Sequence, residues 1–320
     1  MHFHIVRALA DGPASIWKLL RRTDGPIRHV YAACRELVAG NVIRHEAGQF
    51  VLTAGQHPVV AAASRRDFRD VKDQLAPIVR QAPGPAAEYF QERLVLEDLL
   101  KRLDFVYQRG DLAGRRLFVL GDDDLFSLAA ALTGLPARVT VAEIDQRLVQ
   151  FIADQAKRRR LEVETLHYNA ADPLPKRFRR AFDVFVTDPV ETLKGFTTTI
   201  SRGLAALGHP GTAYFGLTEL ECPPVRWMAF QRMLHRAGLV LTDILRDHSW
   251  YVNEAIDEAE LAQTALKRES PFQPLPPQDC LWYRSSFHRA VTVRRPTPPI
   301  TGRVRFDKSF YSDRWVMTTS

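Results

Sequence analysis

The stretch LFVLGDDDLFSLA, residues 117–129, indicates both the fold of this chain and its chemistry. Its first half is an apolar run typical of a buried strand, and its second half has the apolar spacing of a helix. Only Gly121 separates the strand from three successive carboxylates, Asp122, Asp123 and Asp124. Because adjacent negative charges repel one another, these aspartates predict a cation at the end of the strand.

Strand and helix patterns alternate along the chain from residue 115 onward. Further strand-like runs are ARVTVAEID (137–145), LEVETLHYN (161–169), AFDVFVTDP (181–189) and TAYFGLT (212–218). Strands that alternate with helices of this length predict an α/β fold with a doubly wound parallel sheet. Two last apolar segments, 239–253 and 280–294, are typical of the antiparallel edge of a methyltransferase-like Rossmann fold.

The N-terminal part has a different pattern. Three helical segments precede two short strands around Glu46-Ala47-Gly48, which predicts a winged helix-turn-helix module. The third helix carries Arg28, His29 and Arg35, so a DNA contact stays open, although it is not the favoured interpretation. The predicted domains are a winged-helix module (1–55), a helical connecting segment (56–112) and a Rossmann-like catalytic domain (113–320).

The composition and the cysteine spacing indicate the cellular compartment in which the protein is expected. The formal net charge is +7, and the basic residues are spread along the chain, which is typical of a solvated basic face. Cys34, Cys222 and Cys280 are odd in number and far apart, so they match neither a disulfide framework nor a metal-ligand spacing. No stretch resembles a membrane span or a secretory signal, and we therefore expect a cytoplasmic protein.

Carboxylates follow three of the predicted strands where each strand ends. Besides the aspartates of the first strand, Glu143 and Asp145 end the second, and Asp188 ends the fourth. Ligands of open α/β sheets bind outside the carboxyl ends of the strands, so these acids are expected at one site. Glu143 is the better placed acid to accept both hydroxyls of a ribose. Asp145 could instead cap the following helix.

The aspartates disfavour ligands with a phosphate group and favour ligands with a positive charge. Nucleotide-binding loops use glycines so that backbone amides approach a pyrophosphate, whereas aspartates repel phosphate. The sequence therefore favours a nucleoside with a positive charge, such as an S-adenosyl sulfonium, and best one with a cationic amine tail. A magnesium ion is a weaker alternative, and no metal site is predicted.

Further acids follow the fourth and fifth strands. Asp188-Pro189, with Glu191 close behind, resembles the loop in which amino-methyltransferases present polar groups to an amine. Glu219 and Glu221 either extend an acidic rim or belong to an ordinary acidic loop.

In this order and spacing, GDDDLFSLA, VAEID and TDPVET resemble the branched-chain polyamine synthases, also called N4-bis(aminopropyl)spermidine synthases. The resemblance extends over nearly the whole chain, including residues 87–114 before the first strand. It implies transfer of aminopropyl groups from decarboxylated S-adenosylmethionine to the secondary amine N4 of spermidine, with release of methylthioadenosine. Decarboxylated S-adenosylmethionine is then a co-substrate, and no bound cofactor is expected.

The residue patterns and the resemblance together give the candidate site. The catalytic candidates are Asp122, Asp123, Asp124 and Asp188, and the substrate-binding candidates are Glu191, Glu219, Tyr89 and Gln91. The candidates for binding the nucleoside part of the donor are Gly121, Glu143, Asp145, Asn169 and Ala170.

The chain departs from the family pattern at three places. The family's Asp-Pro-Pro is Asp188-Pro189-Val190 here, its Leu-Asp-Gln is Tyr89-Phe90-Gln91, and Asn169 stands where an aspartate is expected. The acid lost at Phe90 is consistent with a shorter or different amine acceptor, or with fewer transfers.

Two other functions stay open at this point. One is an S-adenosylmethionine-dependent methyltransferase that acts on an amine or a nucleic acid. The other is a DNA-binding regulator that senses a polyamine with an inactive enzyme domain. We expect a polyamine as the main partner and a homodimer as the assembly, with nucleic acid as a less favoured partner and no membrane.

Overall fold

The computed structural model describes residues 1–54, 57–64, 67–89, 91–252, 258–272, 274–276 and 281–318. The chain divides into two compact units. The first consists of Met1–Phe68 and Asp104–Ala113, and the second of Arg69–Leu103 and Gly114–Ser320. The predicted boundaries at residues 55 and 112 stay a prediction.

The first unit has the predicted order of three helices and a hairpin. Its elements are α1 (His2–Leu9), α2 (Ile16–Arg22), α3 (Ile27–Ala39), β1 (Ile43–Glu46), β2 (Gln49–Leu52) and α4 (Pro58–Ala63). Ser15 caps α2, because its side chain accepts a hydrogen bond from the backbone N–H of Lys18. Strands β1 and β2 pair antiparallel across Ala47 and Gly48, which both have positive φ. The identification of this unit as a winged helix-turn-helix stays a prediction.

Helices precede the large sheet and cover it. The segment before the sheet contains α5 (Arg69–Val79), a 3-10 turn (Ala87–Tyr89) and α6 (Leu96–Gln108). The later helices are α7 (Phe126–Leu132), α8 (Gln146–Arg159), α9 (Leu193–Ala206), α10 (Pro224–Ala237), α11 (Glu258–Gln263) and α12 (Ala265–Glu269). Two more 3-10 turns are Lys176–Phe178 and Lys308–Phe310. No helix in the described ranges is long and apolar enough to cross a membrane.

A mixed sheet forms the centre of the second unit. Its strands are β3 (Arg116–Leu120), β4 (Arg138–Glu143), β5 (Val163–His167), β6 (Phe182–Thr187), β7 (Leu207–Leu217), β8 (Leu239–Trp250) and β9 (Arg284–Thr292). Their order is β5-β4-β3-β6-β7-β9-β8, and the first five are parallel. Strand β9 runs antiparallel to both β7 and β8. The predicted α/β class with an antiparallel edge, as in methyltransferase-like Rossmann folds, is confirmed.

The strand order places the crevice of the sheet at the end of β3. The chain continues from β3 to β4 on one side and later returns to β6 on the other, so the winding direction switches at β3. In the register, Leu120 pairs with Ala142 of β4 and with Thr187 of β6. The residues after these three positions therefore emerge at the same edge of the sheet.

Aromatic side chains hold α9 and α10 on the sheet. The rings of Phe196 and Phe230 stack with their centroids 3.8 Å apart, and both side chains are fully buried. A Cβ atom at Gly203 would lie 2.0 Å from the ring of Phe185, so only glycine allows α9 to approach β6 this closely. Each buried phenylalanine contributes roughly 1.5–3 kcal/mol to folding, so this packing stabilises the position of both helices.

Candidate active site

The three aspartates after β3 accept hydrogen bonds from different segments. The side chain of Asp122 accepts from both the backbone N–H and the hydroxyl of Ser127, at the start of α7. The carboxylate of Asp123 accepts from the backbone N–H of Glu92 at 3.0 Å, and that of Asp124 accepts from Leu94 N–H at 2.5 Å. The segment before α6 therefore lies against the aspartates, and only Asp123 among the three is partly exposed.

Burial makes these aspartates difficult to ionise. It raises the pKa of Asp122 and Asp123 well above the usual range, and nearby carboxylates add to the effect. Burial and the charge of Asp188 raise the pKa of Asp124 to about 7, although Arg102 opposes this shift. The pKa values of all three aspartates are therefore raised, and a carboxylate with a pKa of about 7, such as Asp124, can take up a proton during a reaction.

Glu143 lies at the end of β4, where its carboxylate is fixed by the backbone. Its two oxygens accept hydrogen bonds of 2.8 Å from the N–H groups of Asp122 and Asp145. Burial raises the pKa of Glu143, and these hydrogen bonds oppose the shift. Because each carboxylate oxygen can accept a second hydrogen bond, Glu143 keeps acceptor sites for two hydroxyl groups.

Asp145 has partners that belong to the helix after β4. Its carboxylate accepts from the backbone N–H of Arg147 at 2.9 Å and so caps α8. The guanidinium of Arg147 and the side-chain amide of Gln91 also donate to it. These hydrogen bonds lower the pKa of Asp145 even though burial opposes them. The capping role that the sequence left open is present, and a direct role in donor binding stays a prediction.

Asp188, after β6, forms an ion pair with a buried arginine. Its Oδ2 accepts hydrogen bonds of 2.7 Å from Arg102 Nη1 and from the hydroxyl of Tyr251. Arg102 also donates at 2.8 Å to the hydroxyls of Ser249 and Ser285, and its side chain is only 4% exposed. Burial alone would lower the pKa of Arg102, but the surrounding acids raise it above its ordinary value, so it stays charged.

The other oxygen of Asp188 faces Gly216 in β7. This Oδ1 atom is buried and has no hydrogen-bond partner among the described residues. A Cβ atom at Gly216 would lie 2.0 Å from Oδ1 and 3.0 Å from Arg102 Nη2. Glycine therefore provides the space in which the ion pair sits.

A second group of acids follows β6 and β7. Burial and the charge of Glu221 raise the pKa of Glu191 well above its usual range, and its carboxylate accepts from Thr218 N–H at 3.2 Å. Glu221 accepts from the backbone N–H groups of Met317 and Thr318 and from the hydroxyl of Tyr283. Glu191 also interacts electrostatically with Asp188, and Glu221 interacts with Glu92. Glu191 and Glu221 therefore form a second acidic pair next to the aspartates.

These features identify an acidic site at the carboxyl ends of β3, β4, β6 and β7. A family model described as the branched-chain polyamine synthase A C-terminal domain matches residues 70–316. The chain belongs to this family. The family predicted from GDDDLFSLA, VAEID and TDPVET is thereby confirmed.

Named relatives match most of the chain. N(4)-bis(aminopropyl)spermidine synthase of Thermococcus kodakarensis is 33% identical over 311 residues, which cover 90% of this chain and 86% of the relative. The enzyme of the same name from Thermus thermophilus is 32% identical over 293 residues, covering 88% and 83%. The crystal structure of the Thermus thermophilus branched-chain polyamine synthase in complex with N4-aminopropylspermidine and 5'-methylthioadenosine superposes with a TM-score of 0.72 at 29% identity, covering 99% of this chain and 93% of that one.

In this member of the branched-chain polyamine synthases, part of the predicted site is brought together. The aspartates 122–124, Glu143, Asp188 and Glu191 are connected by hydrogen bonds or by electrostatic interactions. Gly121 belongs to the same turn, with a φ of 72°, and its backbone N–H donates to Ala142 O. This turn is sharp enough to present three successive aspartates, because glycine adopts positive φ without strain.

Other predicted residues have partners outside that group. Glu219 is exposed, forms an ion pair with Arg246 at 3.2 Å and accepts from the hydroxyl of Ser286. The side chain of Asn169 closes a turn by accepting from Ala171 N–H, and the carbonyl of Ala170 accepts from the buried Arg202. Their parts in substrate and donor binding stay predictions.

Tyr89 and Gln91 lie beside α8. Charges of Glu88 and Asp145 add to the effect of burial in raising the pKa of the Tyr89 hydroxyl. Gln91 connects its segment to Asp145 at 3.2 Å and also accepts from the backbone N–H of Ala86. Phe90, where the family acid is missing, lies outside the described residues.

Sequence reasoning missed Arg102, Glu92 and Tyr283. All three lie far along the chain from the acids that they contact. Glu92 directly follows the family motif position Tyr89-Phe90-Gln91, but that motif does not indicate which acid Glu92 meets. One general signal was available, because a buried aspartate that stays ionised is stabilised by a nearby cation. That signal does not indicate which of 44 basic residues supplies it.

Proposed function

We propose that this protein transfers aminopropyl groups from decarboxylated S-adenosylmethionine to an amine of a polyamine, the N4 secondary amine of spermidine. The products are branched polyamines and methylthioadenosine. The observation that carries this proposal is the acidic site at the switch point of a Rossmann-like sheet, in a family whose Thermus thermophilus member binds N4-aminopropylspermidine and 5'-methylthioadenosine. Spermidine and the aminopropyl tail of the donor are both cations, which such a site attracts.

The nucleoside part of the donor fits the crevice between β3 and β4. In this proposal the free acceptor sites of Glu143 bind the ribose hydroxyls, and Gly121 allows the nucleoside to approach the turn. Asp145, Asn169 and Ala170 shape the neighbouring loops. The aspartates then face the amine tail of the donor, where the carboxylate of ordinary S-adenosylmethionine would be repelled.

The chemistry requires proton removal and alignment. The attacking nitrogen of the acceptor first gives its proton to a carboxylate, for which we propose the group of Asp122, Asp123, Asp124 and Asp188. The nitrogen then bonds to the carbon next to the sulfonium while the carbon–sulfur bond breaks. The bonding pair goes to sulfur, which leaves as the neutral thioether of methylthioadenosine. A carboxylate whose pKa lies near neutrality suits the first step, and fixed geometry suits the second.

The acceptor fits the second acidic pair and the segment before α6. We propose that Glu191 binds the amine cation there. Tyr89, Gln91 and Glu219 then line the path of the polyamine's aliphatic chain. Raised pKa values in this region favour cation binding, because an amine relieves repulsion between adjacent carboxylates.

The direct test is incubation of the full chain with decarboxylated S-adenosylmethionine and spermidine. Mass spectrometry should show methylthioadenosine and tertiary or quaternary spermidine derivatives. Asp123→Asn should lose this activity, whereas Asp154→Asn, on the exposed face of α8, should keep it. No release of methylthioadenosine with any polyamine would refute the proposal.

The donor separates this function from a methyltransferase. Calorimetry should show tighter binding of decarboxylated S-adenosylmethionine than of S-adenosylmethionine itself. The reverse preference, with methyl transfer to an amine, would favour the methyltransferase.

For the assembly and setting we propose a cytoplasmic homodimer. Sedimentation of the full chain tests its oligomeric state. Contact of the first unit with DNA is the less favoured proposal, and salt-dependent binding of the full chain to duplex DNA would support it.

A further inference from the structure

Glu92 lies where the segment before α6 meets the aspartates after β3. Its backbone N–H donates to Asp123 at 3.0 Å, and two residues later Leu94 N–H donates to Asp124. These two hydrogen bonds fix the position of Glu92 relative to the acidic site. The backbone of Glu92 is thereby held next to the carboxylate of Asp123.

One oxygen of the Glu92 carboxylate is left without a hydrogen-bond donor. This Oε2 atom is buried and accepts no hydrogen bond from any described residue. A buried carboxylate oxygen without a donor costs free energy, and folded proteins generally avoid it. Burial, assisted by the charge of Glu221, raises the pKa of Glu92 to about 7.

The charges around Glu92 are mainly negative. Glu221 and Asp123 carry carboxylates, and the hydroxyl of Tyr283 is in electrostatic contact with Glu92. The adjacent Arg93 is occupied elsewhere, since its guanidinium donates to the carbonyls of Pro83, Val79 and Asp123. Within the described part of the chain, no basic side chain forms an ion pair with Glu92. A cationic ligand would supply the donor that Oε2 lacks among the described residues.

We infer that Glu92 binds an ammonium group of the polyamine acceptor, between the aspartates 122–124 and the Glu191–Glu221 pair. The inference rests on the proposed function and adds a residue to its acceptor site. An ammonium N–H donates to the buried Oε2 of Glu92, and its positive charge relieves the repulsion between Glu92 and Glu221. Glu92 is thereby a substrate-binding residue.

Binding of the cation has a measurable consequence for protons. The ammonium favours the ionised form of Glu92, so a polyamine that binds near pH 7 releases part of a proton from this carboxyl. Polyamine affinity should therefore rise as pH increases through 7. Glu221 and Tyr283 interact electrostatically with Glu92, so only a change specific to position 92 identifies the contribution of Glu92.

Isothermal titration of the full chain with spermidine tests the assignment. We compare the wild type with Glu92→Gln, and with Glu97→Gln as a matched control, since Glu97 is exposed and pairs with Lys72 at 2.7 Å. Titration at pH 7 in two buffers of different ionisation enthalpy gives the protons released. Glu92→Gln should weaken the binding of spermidine by at least about 10-fold and lower the number of protons released, while the affinity for methylthioadenosine stays unchanged. Glu97→Gln should match the wild type.

A purely structural role of Glu92 predicts different results from a role in substrate binding. Glu92→Gln removes an unpaired buried charge, so its ligand-free melting temperature above pH 7 should equal or exceed that of the wild type. Equal loss of spermidine and methylthioadenosine affinity with a lower melting temperature would overturn the inference. Wild-type spermidine affinity and proton release in Glu92→Gln would overturn it as well, while leaving the transfer activity of the wild type intact. A wild type that binds no polyamine would overturn the proposed function together with this inference.

Discussion

Arg102 and Asp188 form a 2.7 Å ion pair that connects α6 to the loop after β6, across 86 positions of sequence. One arginine thus balances one carboxylate in the site. Asp122, Asp123 and Asp124 lie close to this pair without an ion-pair partner of their own among the described residues. The site therefore contains more acidic than basic side chains, and this excess of acids favours the binding of the proposed cationic substrates.

Replacement of Arg102 tests the structural value of this pair. Arg102→Gln leaves the carboxylate of Asp188 without its cation, which costs roughly 3–5 kcal/mol for a buried pair. Arg102→Lys keeps the charge but cannot reach both serine hydroxyls and Asp188 together, so a smaller loss is expected. Urea unfolding at pH 7 measures the free energy of unfolding of both variants. Wild-type stability of Arg102→Gln would show that this ion pair does not stabilise the fold.

Asp123 and Asp188 should differ when each is changed to asparagine. Both variants are expected to abolish turnover, because both remove a carboxylate from the proposed catalytic group. Only Asp188→Asn leaves the buried Arg102 uncompensated, so it should also lower the free energy of unfolding by a few kcal/mol. Asp123→Asn reduces repulsion and should be at least as stable as the wild type. Activity assays with parallel urea titrations check the contrast, and equal stability of the two variants would argue against it.

Gly216→Ala tests the space around the Asp188 carboxylate. The added methyl group would lie 2.0 Å from Asp188 Oδ1, so the carboxylate must shift. A displacement of about 1 Å at a catalytic group can cost roughly 100-fold in rate, and we expect a loss of this order in kcat/KM. Gly208→Ala is the control on the same strand, where the nearest atom lies 3.5 Å away. Similar activity of the two variants would show that Asp188 does not need this space.

The order of strands and helices could be predicted because it depends on local patterns. Alternating apolar runs identified the parallel strands, and acids at three strand ends indicated the candidate site, since such ends meet at one edge. The exact end of an element is harder to predict. Gly208 is the glycine nearest to the end of α9, but the helix already ends at Ala206, and β7 begins at Leu207, which pairs with Phe182. Glycine indicates an interruption of a helix or strand but not the type of the next element.

The partners of the acids could not be predicted because they come from distant segments. Arg102 reaches Asp188, and Glu92 reaches Asp123, only after the segment before β3 has packed against the sheet. Nothing in the residues around position 92 distinguishes a buried carboxylate from an exposed one. The sequence therefore located the acids but not their neighbours.

The raised pKa values of the acidic site predict how stability depends on pH. A carboxyl with a pKa of about 7 in the folded state, as for Asp124 and Glu92, keeps its proton when the same group in the unfolded chain has lost it. The folded state then binds more protons, so stability falls as pH rises towards and through 7. His4, His248 and His288, whose pKa values burial lowers to about 4, act in the opposite direction below pH 6.5.

The informative range is therefore pH 7.5 to 8.5, where these histidines are mostly neutral in both states. The melting temperature of the ligand-free protein should decrease across it. Added spermidine pairs with the ionised carboxylates, so the stabilisation that it provides should increase over the same range. Asp123→Asn should show a shallower decrease and a smaller response to spermidine. Thermal unfolding in buffers of constant ionic strength measures all four curves, and a stability of the ligand-free protein that rises with pH would contradict the burial of these acids.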